Sequence, residues 1–384
     1  MNILHVFKVY YPDSYGGIEQ VIRQLARKQS DGLTHEVFTL SPHGSGGQRE
    51  LAIDGVPVTR ARTHLSAAST PMSFSALRTF RRAVTRADVV QYHFPWPFGD
   101  LLHFAAGVRA PSIVTYHSDI VRQRFLVPLY APLMHRFLGS MQAIVATSSN
   151  YLETSDVLRR HRSRVQTIPI GLDASECVAD SRLVAKWRAR VGEGFFLFVG
   201  VIRYYKGLHI LMQACRGAGF RVVIVGTGPQ EEALKRQAAA LNLDNVTFLG
   251  ALPDADKHAL LSLCRGVVFP SHLRAEAFGV TLLEGAMFGK PLVSSEIGTG
   301  SSYVNVHGHT GLVVPPSDPQ ALRSALERLN QDAALAATLG RNASARFAEK
   351  FSASVMRTRY RALYESVLRD GAVMTPIAKP MLPR

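Results

Sequence analysis

Two doubly wound α/β domains, each a parallel sheet with helices on both faces, are the fold that this sequence predicts. Three observations carry the prediction. Strand-like apolar runs alternate with helix-periodic segments along the first half of the chain, and the same alternation restarts after Gly194. A chain of 384 residues, 47% of them hydrophobic, also has enough material for two separate cores. Strands buried on both faces of a parallel sheet read as short, nearly continuous apolar runs, and that is the texture seen here.

Taken in order, "NILHVF" opens the first sheet, and "IEQVIRQLARKQ" follows with Ile18, Val21, Ile22 and Leu25 on one helical face. "THEVFTL", "ADVVQYH", "APSIVTYH", "QAIVATS" and "RVQTIPIG" are further strands, and the second and third of these end in His93 and His117. A polar stretch poor in strand signal, Asp173 to Gly194, separates the halves and places a hinge near residue 180. Beyond it, "GFFLFVGV", "RVVIVGTGP", "NVTFLG", "GVVFPS" and "KPLVSS" read as strands, with "KGLHILMQACRGA" and "QEEALKRQAAALN" as helices. "SASVMRTRYRALYESVLRD" is helical by period, and the tail after Gly371, with three prolines, is expected to be loose. Open parallel sheets take ligands at the carboxyl ends of their strands. Two such sheets facing a central cleft would put the chemistry there.

Composition narrows the classes. No run reaches the roughly 18 apolar residues that span a bilayer, and "MNILHVFKVY" lacks the features of a signal peptide. Cys177, Cys215 and Cys264 are far apart, which speaks for a reducing, cytoplasmic setting and against a zinc site. The net charge of +15 is partly local: 14 Lys or Arg stand against 5 Asp or Glu between Val58 and Arg164. A solvated basic face, an anionic membrane surface or a phosphorylated substrate fits this excess. Nucleic acid fits least, since zinc-finger and aromatic RNA-binding motifs are missing.

Three stretches carry chemistry. In "YYPDSYGGIEQV" a loop with Gly16 and Gly17 leads straight into a helix, either an ordinary glycine turn or a place where backbone approaches a phosphate or sugar hydroxyl. In "FVGVIRYYKGLHIL", Arg203 and Lys206 sit at the mouth of a strand, as a diphosphate would require. Tyr204 and Tyr205 there either stack on a base or close the loop. In "SHLRAEAFGVTLLEGAMFGKP" a loop runs into a helix with Leu282, Leu283, Ala286 and Met287 facing inward. The amides of Gly279, Val280 and Thr281 at its start suit phosphate oxygens. Glu276, just before them, would reach the sugar side of a bound nucleotide sugar, and Glu284 could accept from two ribose hydroxyls. The pair of acids has few basic neighbours in sequence to neutralise it. "DAD" at Asp254 to Asp256 is read as helix-capping and not as a metal site, and His93 with His117 lacks a third metal ligand.

With F-P-S before it and G-K-P after it, the E-A-F-G-x-x-x-L-E pattern resembles glycosyltransferase family 4 over nearly the whole chain. The resemblance implies the glycosyltransferase B fold, two Rossmann-like doubly wound domains. It implies retention of anomeric configuration and no metal or other cofactor beyond the nucleotide-sugar donor. It places an acceptor-binding domain at 1–180, a nucleotide-sugar-binding domain at 181–355, and a last helix, about 356–372, returning to the first domain. Glu276 would contact the transferred hexose, Glu284 the ribose, and Arg203 and Lys206 the departing diphosphate. Phe278, Gly279 and Val280 would offer amides, and His117, in "VTYHSD", would lie near hexose and acceptor. Two positions depart from the family pattern. Val201 takes the place of an arginine after Gly200, and Ile170 replaces asparagine in "IPIG". "VIRYYKG" and "IGTGSSYVNVHGHTGLVVPP" resemble the bacterial branch that uses GDP-mannose or related GDP-hexoses for lipopolysaccharide, O-antigen or other surface polysaccharide. The alternative within the family is a UDP-hexose donor.

A saccharide or polyprenyl-diphosphate-linked acceptor at the cytoplasmic face of the inner membrane would give the basic surface a use. "IVRQRFLVPLYAPLMHRFLG" mixes Arg122, Arg124 and Arg136 with Phe125, Leu126, Leu133 and Phe137. That suits either shallow membrane contact or a core helix with a basic edge. Two rivals remain at this stage: a non-catalytic nucleotide-sugar-binding module, and a nicotinamide-dependent oxidoreductase. The second is weakened because Glu231 stands where "VGTGPQEE" would need a third glycine.

Overall fold

The structure, a computed structural model, describes residues 1–27, 32–43, 49–67, 70–120, 125 and 127–373. The chain forms two compact units. The first comprises Met1–Val145, His161–Ile168 and Arg357–Arg384; the second comprises Ala146–Arg160 and Pro169–Met356. The prolines after Gly371, and Arg122, Arg124 and Leu126, lie outside the described residues.

The first unit holds an eight-stranded sheet built from β1 (Asn2–Val6), β2 (Thr34–Ser41), β3 (Arg49–Ile53) and β4 (Val56–Arg62), together with strands that follow a small hairpin. That hairpin pairs β5 (Leu65–Ala67) with β6 (Thr70–Met72). The remaining strands of the large sheet are β7 (Val89–Phe94), β8 (Ser112–Tyr116), β9 (Ala143–Ala146) and β10 (Val165–Thr167), in the order β10-β9-β8-β7-β1-β2-β4-β3. β1 pairs in parallel with both β2 and β7, as the apolar runs predict. β3 and β4 do not figure in the strand–helix alternation read from the sequence. They form an antiparallel hairpin on the edge, turned by Asp54 and Gly55, both at positive φ. An Asp-Gly pair favours that turn because its two central residues need left-handed backbone.

The second unit carries a six-stranded sheet of β11 (Phe196–Val199), β12 (Val222–Val225), β13 (Val246–Gly250), β14 (Gly266–Phe269), β15 (Leu292–Ser295) and β16 (Gly311–Val314). Their order is β13-β12-β11-β14-β15-β16, parallel throughout. Strand order reverses beside β11 and β14, the place where such sheets open toward a ligand. Phe196, Phe198, Val222 and Ile224 point to one face, where Leu208, Leu211, Met212, Leu326 and Leu329 from helices cover them.

The sequence assigns 1–180 to the first domain, whereas Ala146–Arg160 and the residues from Pro169 on pack with the second unit. The contacts explain this grouping: Thr154 Oγ1 donates to the Gly298 carbonyl at 2.5 Å, and Asn150 Nδ2 donates to Ser302 at 3.0 Å. The last helix, Ala353–Val373, begins in the second unit and belongs to the first from Arg357 on. There Arg357 donates to the Gln24 carbonyl, Tyr360 bonds Thr115 at 2.9 Å, and the Tyr364 hydroxyl donates to Gln91.

The segment around 120–139 divides between the two readings open to it. Residues Val127–Ser140 form a helix in which Met134, Phe137 and Leu138 are buried. Phe137 is therefore core and does not contribute to a membrane-facing surface. Phe125 and Leu129 are 83% and 86% exposed, and Arg136 lies over the Phe104 ring.

Candidate functional site

In the second unit, β11 ends at Val199, and a short turn, Tyr204–Lys206, precedes Gly207. Gly207 has φ +71°, and a side chain there would overlap the carbonyl oxygen of Pro270, the residue after β14. Only glycine lets the chain pass so close in a left-handed conformation. The close passage sets Lys206 beside the loop that follows β14. The Lys206 ammonium donates to Oε2 of Glu276, and the Ser271 hydroxyl donates to the same oxygen at 3.2 Å. The two charged side chains are 12% and 11% exposed, and the ammonium also sits 4.8 Å from the centre of the Phe269 ring. A carboxylate and an ammonium this far out of water require one another.

Tyr204 stacks on His209 with ring centres 4.9 Å apart, and His272 meets both rings edge-on. His272 also bonds the Tyr204 carbonyl through Nε2. One face of Tyr204 is thus engaged in closing the loop, while the residue as a whole stays 58% exposed. Arg203, at the start of the turn, is exposed, and its guanidinium has no ion-pair partner among the described residues.

The helix Val280–Met287 begins after Gly279, which has φ +97°, and no side chain caps it. Uncapped first-turn amides and the helix dipole together favour an anion at that end. Thr281 Oγ1 donates to the Val199 carbonyl at 3.2 Å, fixing the helix start against the end of β11. Leu282, Leu283 and Ala286 are buried, while Met287 is only partly so. Phe278 is buried with its ring edge-on to Phe351, so any ligand contact it makes is through its backbone.

Glu284 is buried and accepts from Lys257 Nζ at 2.6 Å; Lys257 also pairs with Asp254 at 2.8 Å. Burial by itself would lower the Lys257 pKa, but the carboxylates of Glu284 and Asp254 raise it above the usual lysine value. Glu276 and Glu284 therefore each have a lysine, one 70 residues upstream and one 27. Lys257 is the residue that sequence reasoning missed. Its signal was Asp254 three positions earlier on a helix, within reach of an i, i+3 pair. Asp256, by contrast, holds the indole of Trp187 at 2.7 Å and Lys186 at 3.1 Å. Among the described residues, no three or more His, Cys, Asp or Glu side chains gather as metal ligands would.

In the first unit, Gly16 precedes the helix Gly17–Ala26 without a side-chain cap. The buried carboxylate of Glu19 folds back so closely that a side chain at Gly16 would meet it. This helix start therefore carries an acid of its own. His117 directly follows β8, its amide bonded to the Phe94 carbonyl at 3.1 Å, and its ring bonds His93 at 3.0 Å. Burial pushes the His117 pKa down to about 3, so the ring is neutral near pH 7. The structure thus gathers Lys206, Glu276, Gly279, Val280 and Thr281 around one loop of the second unit, with Glu284 along the same helix. Gly16, Gly17 and His117 belong to the first unit.

Comparison with known proteins meets this geometry. Residues 180–346 match the family described as glycosyl transferases group 1, and residues 16–171 match the glycosyl transferase 4-like domain. The D-rhamnosyltransferase WbpZ of Pseudomonas aeruginosa is 54% identical over 358 residues, 92% of this chain and 93% of that protein. The O-antigen chain mannosyltransferase C of Escherichia coli is 48% identical over 96% of this chain and all of its own length. Among solved structures, Anabaena HepE in complex with UDP and glucose superposes with a TM-score of 0.77 at 18% identity. The match covers 95% of this chain and 100% of that one, and it supports the fold alone. On the strength of the two bacterial relatives and both domain matches, the chain belongs to the group 1 and family 4-like glycosyltransferases, enzymes of the glycosyltransferase B fold.

Proposed function

We propose that the chain is a retaining hexosyltransferase moving mannose, or a related GDP-linked hexose, from its nucleotide to a saccharide or polyprenyl-diphosphate-linked acceptor during O-antigen or similar surface polysaccharide synthesis. The observation that carries it is the half-enclosed Lys206–Glu276 pair beside an uncapped helix start. It is joined to the relatedness of whole-length rhamnosyl- and mannosyltransferases.

The chemistry asks for such a pair. Breaking the anomeric C–O bond leaves positive charge on the sugar and builds negative charge on the diphosphate. A cation about 4 Å from a phosphate oxygen contributes about 4 kcal/mol at an effective dielectric near 20, before desolvation. In this reading Lys206 turns from Glu276 to the diphosphate, Arg203 reaches in from the exposed turn, and the amides of Phe278, Gly279, Val280 and Thr281 take the remaining oxygens. Glu276, released, faces the hexose, and Glu284 holds the ribose. His117 serves the hexose and the acceptor, and Gly16 and Gly17 keep backbone open to a ligand. The acceptor attacks from the face the nucleotide leaves, and the departing phosphate helps to take its proton. The first unit is assigned to the acceptor and the second to the nucleotide sugar.

Phe125 and Leu129, exposed in a segment whose sequence also carries Arg122, Arg124 and Arg136, suit contact with the cytoplasmic face of an anionic membrane. Flotation with and without anionic lipid tests this: the protein should rise only with anionic vesicles, and failure to rise with either ends the idea. The activity itself is tested by incubating the protein with GDP-mannose, GDP-rhamnose, UDP-glucose or UDP-N-acetylglucosamine and a saccharide acceptor. Sugar transfer from a GDP donor, abolished in Glu276→Gln, is the expected result. Transfer from UDP sugars alone would overturn the donor assignment, and binding without turnover would leave a non-catalytic module.

A further inference from the structure

We propose that His93, His5 and His35 are positioning residues for His117, forming a chain of imidazoles whose tautomers switch together and so decide whether Nδ1 of His117 gives or takes a hydrogen bond. The proposal rests on the reading above only in assigning His117 to the sugar and acceptor.

The four rings come from neighbouring strands of one sheet. His35 is on β2, His5 on β1, His93 on β7, and His117 follows β8. In the β1–β2 register Ile3 is opposite His35, in β1–β7 His5 is opposite Gln91, and in β7–β8 His93 is opposite Thr115. Each histidine therefore stands two residues further along than its neighbour. A two-residue step keeps side chains on one face, so the four make a diagonal that ends just past β8. Their bonds share one sense: His35 Nδ1 to His5 Nε2 at 3.0 Å, His5 Nδ1 to His93 Nε2 at 3.2 Å, and His93 Nδ1 to His117 Nε2 at 3.0 Å. The rings are near-parallel, with centres 5.2 to 5.5 Å apart.

A neutral imidazole has one N–H and one bare nitrogen. Burial holds His5 and His93 well below the ordinary histidine value and His117 near 3, so these rings are neutral. With His35 neutral as well, only two arrangements satisfy every bond. If each ring carries its proton on Nδ1, His117 offers Nδ1–H. If each carries it on Nε2, His117 offers a bare Nδ1. A mixed arrangement leaves two donors or two bare nitrogens facing each other in a buried place, which is costly.

Passage between the two states is balanced. A proton taken up at Nδ1 of His117 sends Nε2–H to His93, which passes its own to His5, which passes its own to His35, whose Nε2–H leaves. One proton enters, one departs, and no ring stays charged. His35 lines a cavity of about 10 Å³ with Arg27, Arg357, Tyr360 and Tyr364, space for about one water. Arg27 and Arg357 are the charged residues that line that cavity with it.

The test uses the full-length protein labelled with 15N-histidine, with His117 signals assigned by their loss in His117→Phe. In His5→Phe and in His35→Phe, the Nδ1 and Nε2 shifts of His117 should move, although neither position bonds His117. The kcat should fall by about tenfold with donor KM within about twofold. His35→Asn, whose amide occupies the Nδ1 place and holds the bond to His5 but cannot pass a proton on, should restore the His117 shifts and not kcat. Unchanged His117 shifts in the two phenylalanine variants overturn the proposal, as does a shift change that asparagine does not rescue. Should His5→Phe fail to fold, the partly exposed His35 pair of variants decides alone. The nitrogen shifts need no turnover, so they stand even if wild-type protein transfers no sugar, a result that would defeat only the reading of function.

Discussion

Lys206 and Glu276 compensate each other at a point that water barely reaches, and their dependence can be measured. Replacing Lys206 with Met leaves a carboxylate nearly buried and unpaired. Breaking a buried pair from one side costs about 3 kcal/mol or more, whereas removing both charges is often close to neutral. Lys206→Met should therefore lower urea stability by about 3 kcal/mol, and the double change Lys206→Met, Glu276→Leu should recover most of it. If the single and double variants are equally unstable, the two side chains are not coupled. The same reasoning applied to Lys257 yields a functional expectation. With Lys257→Met, Glu284 loses the cation that holds its carboxylate in place, and the hold on ribose hydroxyls proposed for it weakens. Donor KM should rise about tenfold with kcat nearly unchanged, and a fall in kcat at constant KM would place Glu284 elsewhere. Pairs of this kind explain the unequal legibility of the site. Glu276 and Lys206 were visible because each sits in a recognisable loop. Lys257 was not, because its helix offers only the i, i+3 pairing with Asp254, and folding alone reveals that this lysine arrives at Glu284.

Elements were legible where one periodicity spoke alone. β1, β2, β7, β8, β11, β12, β14 and β15 are largely apolar runs of four to eight residues buried by the sheet, and they read directly. β4 escaped because "VPVTRAR" mixes proline and arginine into its alternation, and β3 because its signal lay in the Asp54–Gly55 turn and not in the strand itself. The excursion of Ala146–Arg160 into the second unit was invisible for a similar reason: it depends on hydrogen bonds to residues nearly 150 positions on. The turn between β11 and the helix Leu208–Cys215 shows how far a single backbone position reaches. Gly207→Ala forces a left-handed conformation on alanine, at roughly 1–2 kcal/mol, and also drives a methyl into the Pro270 carbonyl. Thermal stability should fall by more than the conformational term alone. Because Lys206 is the adjacent residue, donor KM should rise as well. A variant with normal KM and a lowered melting midpoint would show that the turn supports the fold without aiming the lysine.

At the scale of the whole molecule, the buried histidines set the response to acid. Burial lowers the pKa of His5, His93, His103 and His117 in the first unit, the last two to about 4 and about 3. It does the same to His209, His258 and His272 in the second. A histidine whose folded pKa lies below its unfolded value, about 6.5, takes up a proton on unfolding whenever the pH lies between the two. Its stabilising effect is therefore complete above about pH 6.5 and is lost as the pH falls toward the folded pKa. Asp100 works the other way. Its burial, opposed by the bond donated from Tyr130, holds its pKa well above the ordinary carboxylate value, so the folded chain keeps a proton that the unfolded chain gives up. That is one group against seven, and it favours the fold in acid. For His103 and His117 the linkage between pH 7 and pH 5 is about 2 kcal/mol each. At about 1.2 °C per kcal/mol for a protein of this size, those two alone should lower the melting midpoint by roughly 5 °C. Scanning calorimetry at the two pH values checks the sign as well as the size. His103→Phe should flatten the pH dependence by about half of that amount, and a midpoint equal or higher at pH 5 would mean that these rings are already charged inside the folded protein.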